Sequence, residues 1–338
     1  MTDIKQALPV YGTDLIPTLD QRYFDDCVVF CAPEAWNIAK HQFKFPPKEI
    51  AVPKEMEQAR LERRIQRMPQ SETVFGIGGG SACDAAKLFA HLTHARLILV
   101  PSILSVDAPF TKAIGVRVNH RVRYVGEVYP DHLLIDFNLI RQAPPKLNRA
   151  GVGDILSIYT ALSDWRLAHQ ATGEAFDETL AGQSQALLDR LFAGATAIRD
   201  CTDEGLKLLS ELYVAEVALC EIAGNSRPEE GSEHYFAYCL ESLTHKQYLH
   251  GELIALGVLL GALYQEQPLD RILAFLHETQ VEYRPAAIGV TDEEICHTLI
   301  ALPQYLTEER QLPYGIYHHK GMTPESADAL LNRLHSVI

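Results

Sequence analysis

The chain has 338 residues, carries 44 acidic against 30 basic side chains for a formal net charge of −14, and is 47% hydrophobic. That length suffices for two domains with a sizeable core, and the composition is that of a soluble globular protein. The acidic balance excludes a general nucleic-acid binder, which needs a basic footprint, but leaves room for a local basic pocket holding an anionic small molecule.

The first residues, MTDIKQALPVYG, lack the charged-then-apolar pattern of a secretion signal. CVVFCA at 27–32 reads as a buried strand, and EMEQARLERRIQRM at 55–68 as an exposed helix with charges at helical spacing. The next strand is expected at 73–77 and runs into the glycine run Gly76-Ile77-Gly78-Gly79-Gly80-Ser81. A helix is expected at 81–92, then a strand at 96–101 (RLILVP) and a short one at 133–136 (LLID). Strand and helix in alternation imply a mostly parallel sheet with helices on its faces.

After the proline turn at 143–145 the pattern changes. Helical periodicities follow at 154–169, 178–198, 204–223, 232–243 and 251–265, and strand signals almost vanish. The expected organisation is an α/β domain over 1–145, followed by an all-helical domain over 146–338. A cleft between two domains is a usual place for a ligand. The longest apolar run, 253–263, is shorter than the ~18 to 20 residues of a membrane span. Seven scattered cysteines without a CxxC pair fit a reduced, cytoplasmic protein. The apolar helical half has surface to spare for a homo-oligomer, although core packing explains the same residues.

Two features carry chemistry. The glycine run lies between a strand and a helix, where glycines let the backbone approach a phosphate and free helix N–H groups face the anion. Its order is not GxGxxG, and a tight turn without a ligand, with Ser81 as an N-cap, explains it equally well. The second feature is Asp154 in AGVGDILS with His234 and His250 in EGSEHYFAYCLESLTHKQYLHGE, all at expected helix starts. Two imidazoles and one carboxylate suit zinc or another late first-row ion with an open position. The plainer readings are a carboxylate at the dipole's positive end and two structural histidines.

Together, GIGGGSACDAAK, VPSILSVDAP, AGVGDILS, EGSEH and LHGE, in this order, resemble the dehydroquinate synthase-like superfamily of metal-dependent polyol dehydrogenases. Within it the chain looks most like the sn-glycerol-1-phosphate dehydrogenases. The resemblance implies interconversion of a small polyol, or polyol phosphate, and its ketone, with NAD or NADP and a metal: Zn²⁺, or Ni²⁺, Fe²⁺ or Mn²⁺. It implies that 1–145 is a Rossmann-like nucleotide-binding domain and 146–338 the metal- and substrate-binding one, with Gly78, Gly79, Gly80, Ser81 and Asp84 at the cofactor pyrophosphate and Ser102 and Ser105 on the nicotinamide side. Asp107 would stand near the substrate, and Asp154, His234 and His250 would bind the metal.

The chain also departs from these relatives. Ser105-Val106-Asp107-Ala108-Pro109 is closer to the glycerol dehydrogenase form. Tyr238 stands where dehydroquinate synthase and many glycerol-phosphate enzymes place a second His. Ser157 and Asp154 replace the synthase's Lys and Glu, which counts against a lyase reading. Phe30-Cys31-Ala32-Pro33 lacks the acidic residue that contacts ribose hydroxyls, so NAD and NADP both fit. Asp107 reads equally as a turn residue before Pro109. His245 reads as a loop residue or phosphate ligand. Lys112, Arg117, Arg121 and Arg123 read as a solvated hairpin face or a site for a substrate phosphate.

Overall fold

A computed structural model describes residues 8–309 and 311–338. The stretch 1–7, read above for targeting signals, lies outside the described residues. Contacts divide the chain into two compact units, one ending at Asn148 and the other beginning at Arg149.

The first unit is built on a six-stranded sheet, with strands β1 (Val10–Gly12), β2 (Cys27–Cys31), β3 (Glu49–Ala51), β4 (Thr73–Gly78), β5 (Arg96–Pro101) and β8 (His132–Asp136). Their order is β1-β8-β5-β4-β2-β3 and every pairing is parallel. A parallel sheet is covered on both faces, so its inner strands read as unbroken apolar runs. CVVFC and TVFGIG are buried at every position. Phe24, Phe43, Phe75 and Trp36 form an aromatic cluster packed against this sheet.

The sequence does not announce the two edge strands β1 and β3. Each has only three residues and both are partly exposed, so neither shows a period. The region holding Arg117, Arg121 and Arg123 is an antiparallel hairpin, β6 (Ala113–Val118) and β7 (Arg121–Glu127). Its turn residues Asn119 and His120 both have positive φ (52° and 64°), the signature of a type I′ hairpin turn.

The second unit is helical. Its long helices are Val152–Thr172, Glu178–Ala193, Asp203–Ala223, Ser232–Thr244 and His250–Tyr264. The single helix expected at 178–198 is in fact two, Glu178–Ala193 and Ala195–Arg199, broken at Gly194. A glycine is a weak helix former, and here its missing side chain leaves room for Leu208 of the Asp203–Ala223 helix. His250–Tyr264 is apolar all round and buried over nearly its whole length, as a central core helix must be. No helix among the described residues is long and apolar enough to cross a membrane.

Candidate metal centre and nucleotide turn

In the helical unit, Asp154 lies in the first turn of Val152–Thr172, His234 in the first turn of Ser232–Thr244, and His250 opens His250–Tyr264. Two glycines bring the first and third helix starts together. A Cβ on Gly153 would lie 2.5 Å from Gly251 Cα, and a Cβ on Gly251 would overlap the Ala150 carbonyl oxygen. The two helix ends therefore meet backbone to backbone, and each glycine is the chain neighbour of a polar residue. Asp154 Oδ1 comes to 3.2 Å from His250 Nε2, and the rings of His234 and His250 lie 5.5 Å apart. One ligand atom from each of the three side chains falls within 4.8 Å of the others.

Asp154 and His234 are buried, while the His250 side chain keeps 30% of its exposure. For His234, burial works against the charged ring. The Glu233 hydrogen bond and the carboxylates Glu230, Glu233 and Asp154 overcome this and push its pKa to about 10. Burial likewise opposes charge on His250, and Asp154 raises its pKa in spite of that. Carboxylates thus make this pocket attract cations. A divalent metal would meet that demand, displacing any proton from the nitrogens it binds.

A metal with ligand bonds of ~2.0–2.2 Å holds its donors roughly 3 to 4.4 Å apart. The 3.2 Å between Asp154 Oδ1 and His250 Nε2 lies in that range, and the N,N,O donor set suits such an ion. Glu233, fully buried, accepts hydrogen bonds on Oε1 from His234 Nδ1 (2.9 Å) and from the Gly231 N–H (2.6 Å), and on Oε2 from the Thr160 hydroxyl. This fixes the ring and leaves Nε2 for a ligand, the arrangement of a carboxylate–histidine–metal relay. Reading the residues alone missed Glu233, although it is the neighbour of His234 in the GSEH motif.

A second buried carboxylate, Asp164, also went unread because it lies in mid-helix with no motif around it. It accepts from the Ser232 N–H (2.7 Å) and hydroxyl, from Gln265 Nε2 (2.8 Å) and from the Ile316 N–H (2.8 Å), and so seats the helix that carries His234. Tyr238, one turn beyond His234, donates its hydroxyl to Glu230. The Ser157 hydroxyl donates to the carbonyls of Asp154 and Glu229. His245 has φ 54° and closes the Ser232–Thr244 helix as its C-cap.

In the first unit, β4 ends at Gly78 and the helix Gly80–Thr93 starts directly after Gly79. Gly79 is the N-cap and makes no side-chain cap, so Ser81 lies inside the first turn, exposed, rather than at the cap. Ser102 and Ser105 are buried after β5, and the Ser102 N–H donates to Gly78 O (2.9 Å). The Asp107 carbonyl accepts from the Phe110 N–H (2.7 Å), which makes a turn there. Asp84 lies beneath this loop, with its carboxylate on Lys87 (2.6 Å) and on the Gly115 N–H, and burial raises its pKa. Of the basic patch, Lys112 pairs with Glu127 (3.0 Å) and the Arg117 guanidinium donates to His120 O (3.3 Å).

Residues 39–144 match the family model described as iron-containing alcohol dehydrogenase. The chain is 30% identical to the glycerol-1-phosphate dehydrogenase [NAD(P)+] of Aeropyrum pernix over 321 residues, 94% of this chain and 87% of that protein. It is 34% identical to the enzyme of the same name from Hyperthermus butylicus over 261 residues, 76% of this chain and 72% of that one. Among solved structures, a probable glycerol dehydrogenase from Sinorhizobium meliloti 1021 shares the fold, with TM-score 0.74 at 18% identity over 98% of both chains. Sequence identity of this order, sustained over nearly the full length of a curated relative, means that the chain belongs to the glycerol-1-phosphate dehydrogenase family.

Proposed function

We propose that this protein is a metal-dependent, NAD(P)-linked dehydrogenase that interconverts sn-glycerol-1-phosphate and dihydroxyacetone phosphate. The observation that carries the reading is the convergence of Asp154, His234 and His250 within ligand distance in a carboxylate-rich pocket. The relatives' names supply the substrate.

In this reading Asp154, His234 and His250 hold the ion. Zinc is favoured by the N,N,O donor set, and nickel, iron or manganese suit the same residues. The ion, when bound, supplies a positive charge that polarises a substrate oxygen. NAD(P), when bound, would supply or accept a hydride. Gly78, Gly79, Gly80 and Ser81 offer their backbone to the pyrophosphate, since the exposed N–H groups of a helix start suit an anion. Asp84, in the helix that this turn begins, lies on the pyrophosphate side, and Ser102 and Ser105 line the nicotinamide side. Asp107 orients substrate hydroxyls. Glu233 keeps the His234 ring in the tautomer that presents Nε2, and the Gly153–Gly251 contact keeps Asp154 against His250. A cytoplasmic setting fits the free cysteines.

The test is reduction of dihydroxyacetone phosphate with NADH and NADPH in parallel, on metal-replete and chelator-treated protein. Metal-dependent oxidation of either nucleotide is expected, and a weaker response to dihydroxyacetone shows that the phosphate matters. His250→Ala is expected to lose both bound metal and turnover while staying folded. Full activity of metal-free His250→Ala protein refutes the reading.

A further inference from the structure

Lys87 is a charged side chain with no exposure at all, in the interior of the first unit. It sits two turns into the Gly80–Thr93 helix, the helix that the glycine run begins. Its ammonium donates to the carbonyls of Ala108 (2.9 Å), Thr111 (3.4 Å) and Ala113, and pairs with Asp84 (2.6 Å). Asp84 in turn accepts from the Gly115 N–H. One helix face therefore grips a continuous piece of chain from the Asp107 turn to the start of β6.

The same loop packs on the glycine turn from the other side. A Cβ on Gly79 would lie 2.8 Å from Ile103 Cδ1, and one on Gly80 would lie 3.1 Å from Val106 Cγ1 and 3.4 Å from the Ala108 Cβ. The loop's first half is tied down separately: the Ser102 N–H donates to Gly78 O (2.9 Å), and the Leu104 N–H donates to Asn148 Oδ1 (3.0 Å). For the half that follows Asp107, Lys87 and Asp84 supply polar ties back to the helix.

Burying a charge is tolerated only where it is paired and hydrogen-bonded, and a compact ammonium suits carbonyls converging on one point as a planar guanidinium does not. We infer that Lys87 is a positioning residue: it locks the Asp107 loop to the helix whose glycine start faces the nucleotide, and so sets where the substrate lies against the cofactor. The inference rests on the dehydrogenase reading for what the loop does, and on the hydrogen bonds alone for what holds it.

The experiment compares Lys87→Met and Lys87→Arg with the parent holoenzyme. Three quantities are read: NADH affinity by fluorescence, kcat and KM for dihydroxyacetone phosphate, and amide exchange across residues 102–113 by mass spectrometry. For Lys87→Met, kcat/KM is expected to fall about 100-fold, the cost of misplacing a reacting group by ~1 Å. NADH affinity and metal content should stay within about three-fold, so that the loss lies in placing the substrate. Exchange should rise in 102–113 and not in the helix Gly80–Thr93. Lys87→Arg should show the same split more weakly, and it decides the matter if Lys87→Met is insoluble. Unchanged kcat/KM with unchanged loop exchange overturns the inference. So does a loss of NADH affinity in proportion to turnover, which would make Lys87 a general support of the fold. A parent enzyme with no turnover on any polyol or ketone would fail the dehydrogenase reading alone, since loop exchange in the variants still reports on the lock.

Discussion

Glu233→Gln is the sharpest probe of the metal centre. The wild-type carboxylate, with no exposure, receives three donors: the His234 ring, the Gly231 N–H and the Thr160 hydroxyl. Removing the side chain altogether, as in Glu233→Ala, strands the His234 ring N–H and the Gly231 N–H, while the Thr160 hydroxyl can turn to Ser157 O (3.2 Å). At about 1–3 kcal/mol for each buried unsatisfied group, that loss is a large fraction of the stability of a domain. Glutamine avoids this. Its carbonyl oxygen can keep the ring and the Gly231 N–H, and its amide can face Thr160, whose oxygen accepts as well as donates. What disappears is the negative charge that makes the imidazole a better donor to a metal. Losing such an outer partner costs about 10- to 100-fold in metal affinity, and the lower end, about 1.4 kcal/mol, applies where the hydrogen bond survives. Competition with a chromophoric chelator measures that affinity, alongside kcat at saturating metal. A folded Glu233→Gln protein that holds metal as tightly as the parent would refute the claim that Glu233 tunes His234.

Two glycine substitutions should act in opposite directions. Gly251→Ala forces a Cβ into the Ala150 carbonyl, so the helix starts must separate; about 3 kcal/mol of stability and most metal binding should go, read by urea unfolding and metal analysis. Gly182→Ala, exposed in mid-helix with nothing within 4 Å of the new Cβ, should instead stabilise by roughly 0.5–1 kcal/mol. Asp164 provides a pH signature. Burial pushes its pKa up to about 6 from 3.8, so the folded state disfavours its ionised form. Its effect is absent below pH 3.8, where the group is protonated folded or unfolded. It grows to about 3 kcal/mol of destabilisation as pH rises through 6. The stability difference between parent and Asp164→Asn, followed by urea unfolding across that range, should change with pH, and a flat difference would contradict it.

The sequence determined the fold class and the order of its parts. A strand covered on both faces must be apolar throughout, and CVVFC, TVFGIG and RLILVP announce themselves for that reason. The helical half follows from its period. The elements that escaped are those whose existence depends on neighbours. Val10–Gly12 and Glu49–Ala51 are too short to have a pattern and become strands only by pairing with β8 and β2. Gly194 breaks a helix because Leu208 of another helix occupies its missing side chain.

The site divides in the same way. Asp154, His234 and His250 are chemically conspicuous residue types, and the glycine run is conspicuous as a turn. Glu233 and Lys87 look like ordinary surface charges in the sequence and prove to be fully buried. A hydrophobic or periodic pattern states whether a residue is inside or outside. It does not state which carbonyls converge on an ammonium, or which carboxylate stands behind an imidazole. The carbonyls on Lys87 lie 21 or more residues further along, and the Thr160 hydroxyl that holds Glu233 lies 73 residues before it, so these contacts form only when the chain folds. The approach of Gly153 to Gly251 is the clearest case: two small residues, unremarkable apart, let two helix ends touch and bring Asp154 to His250.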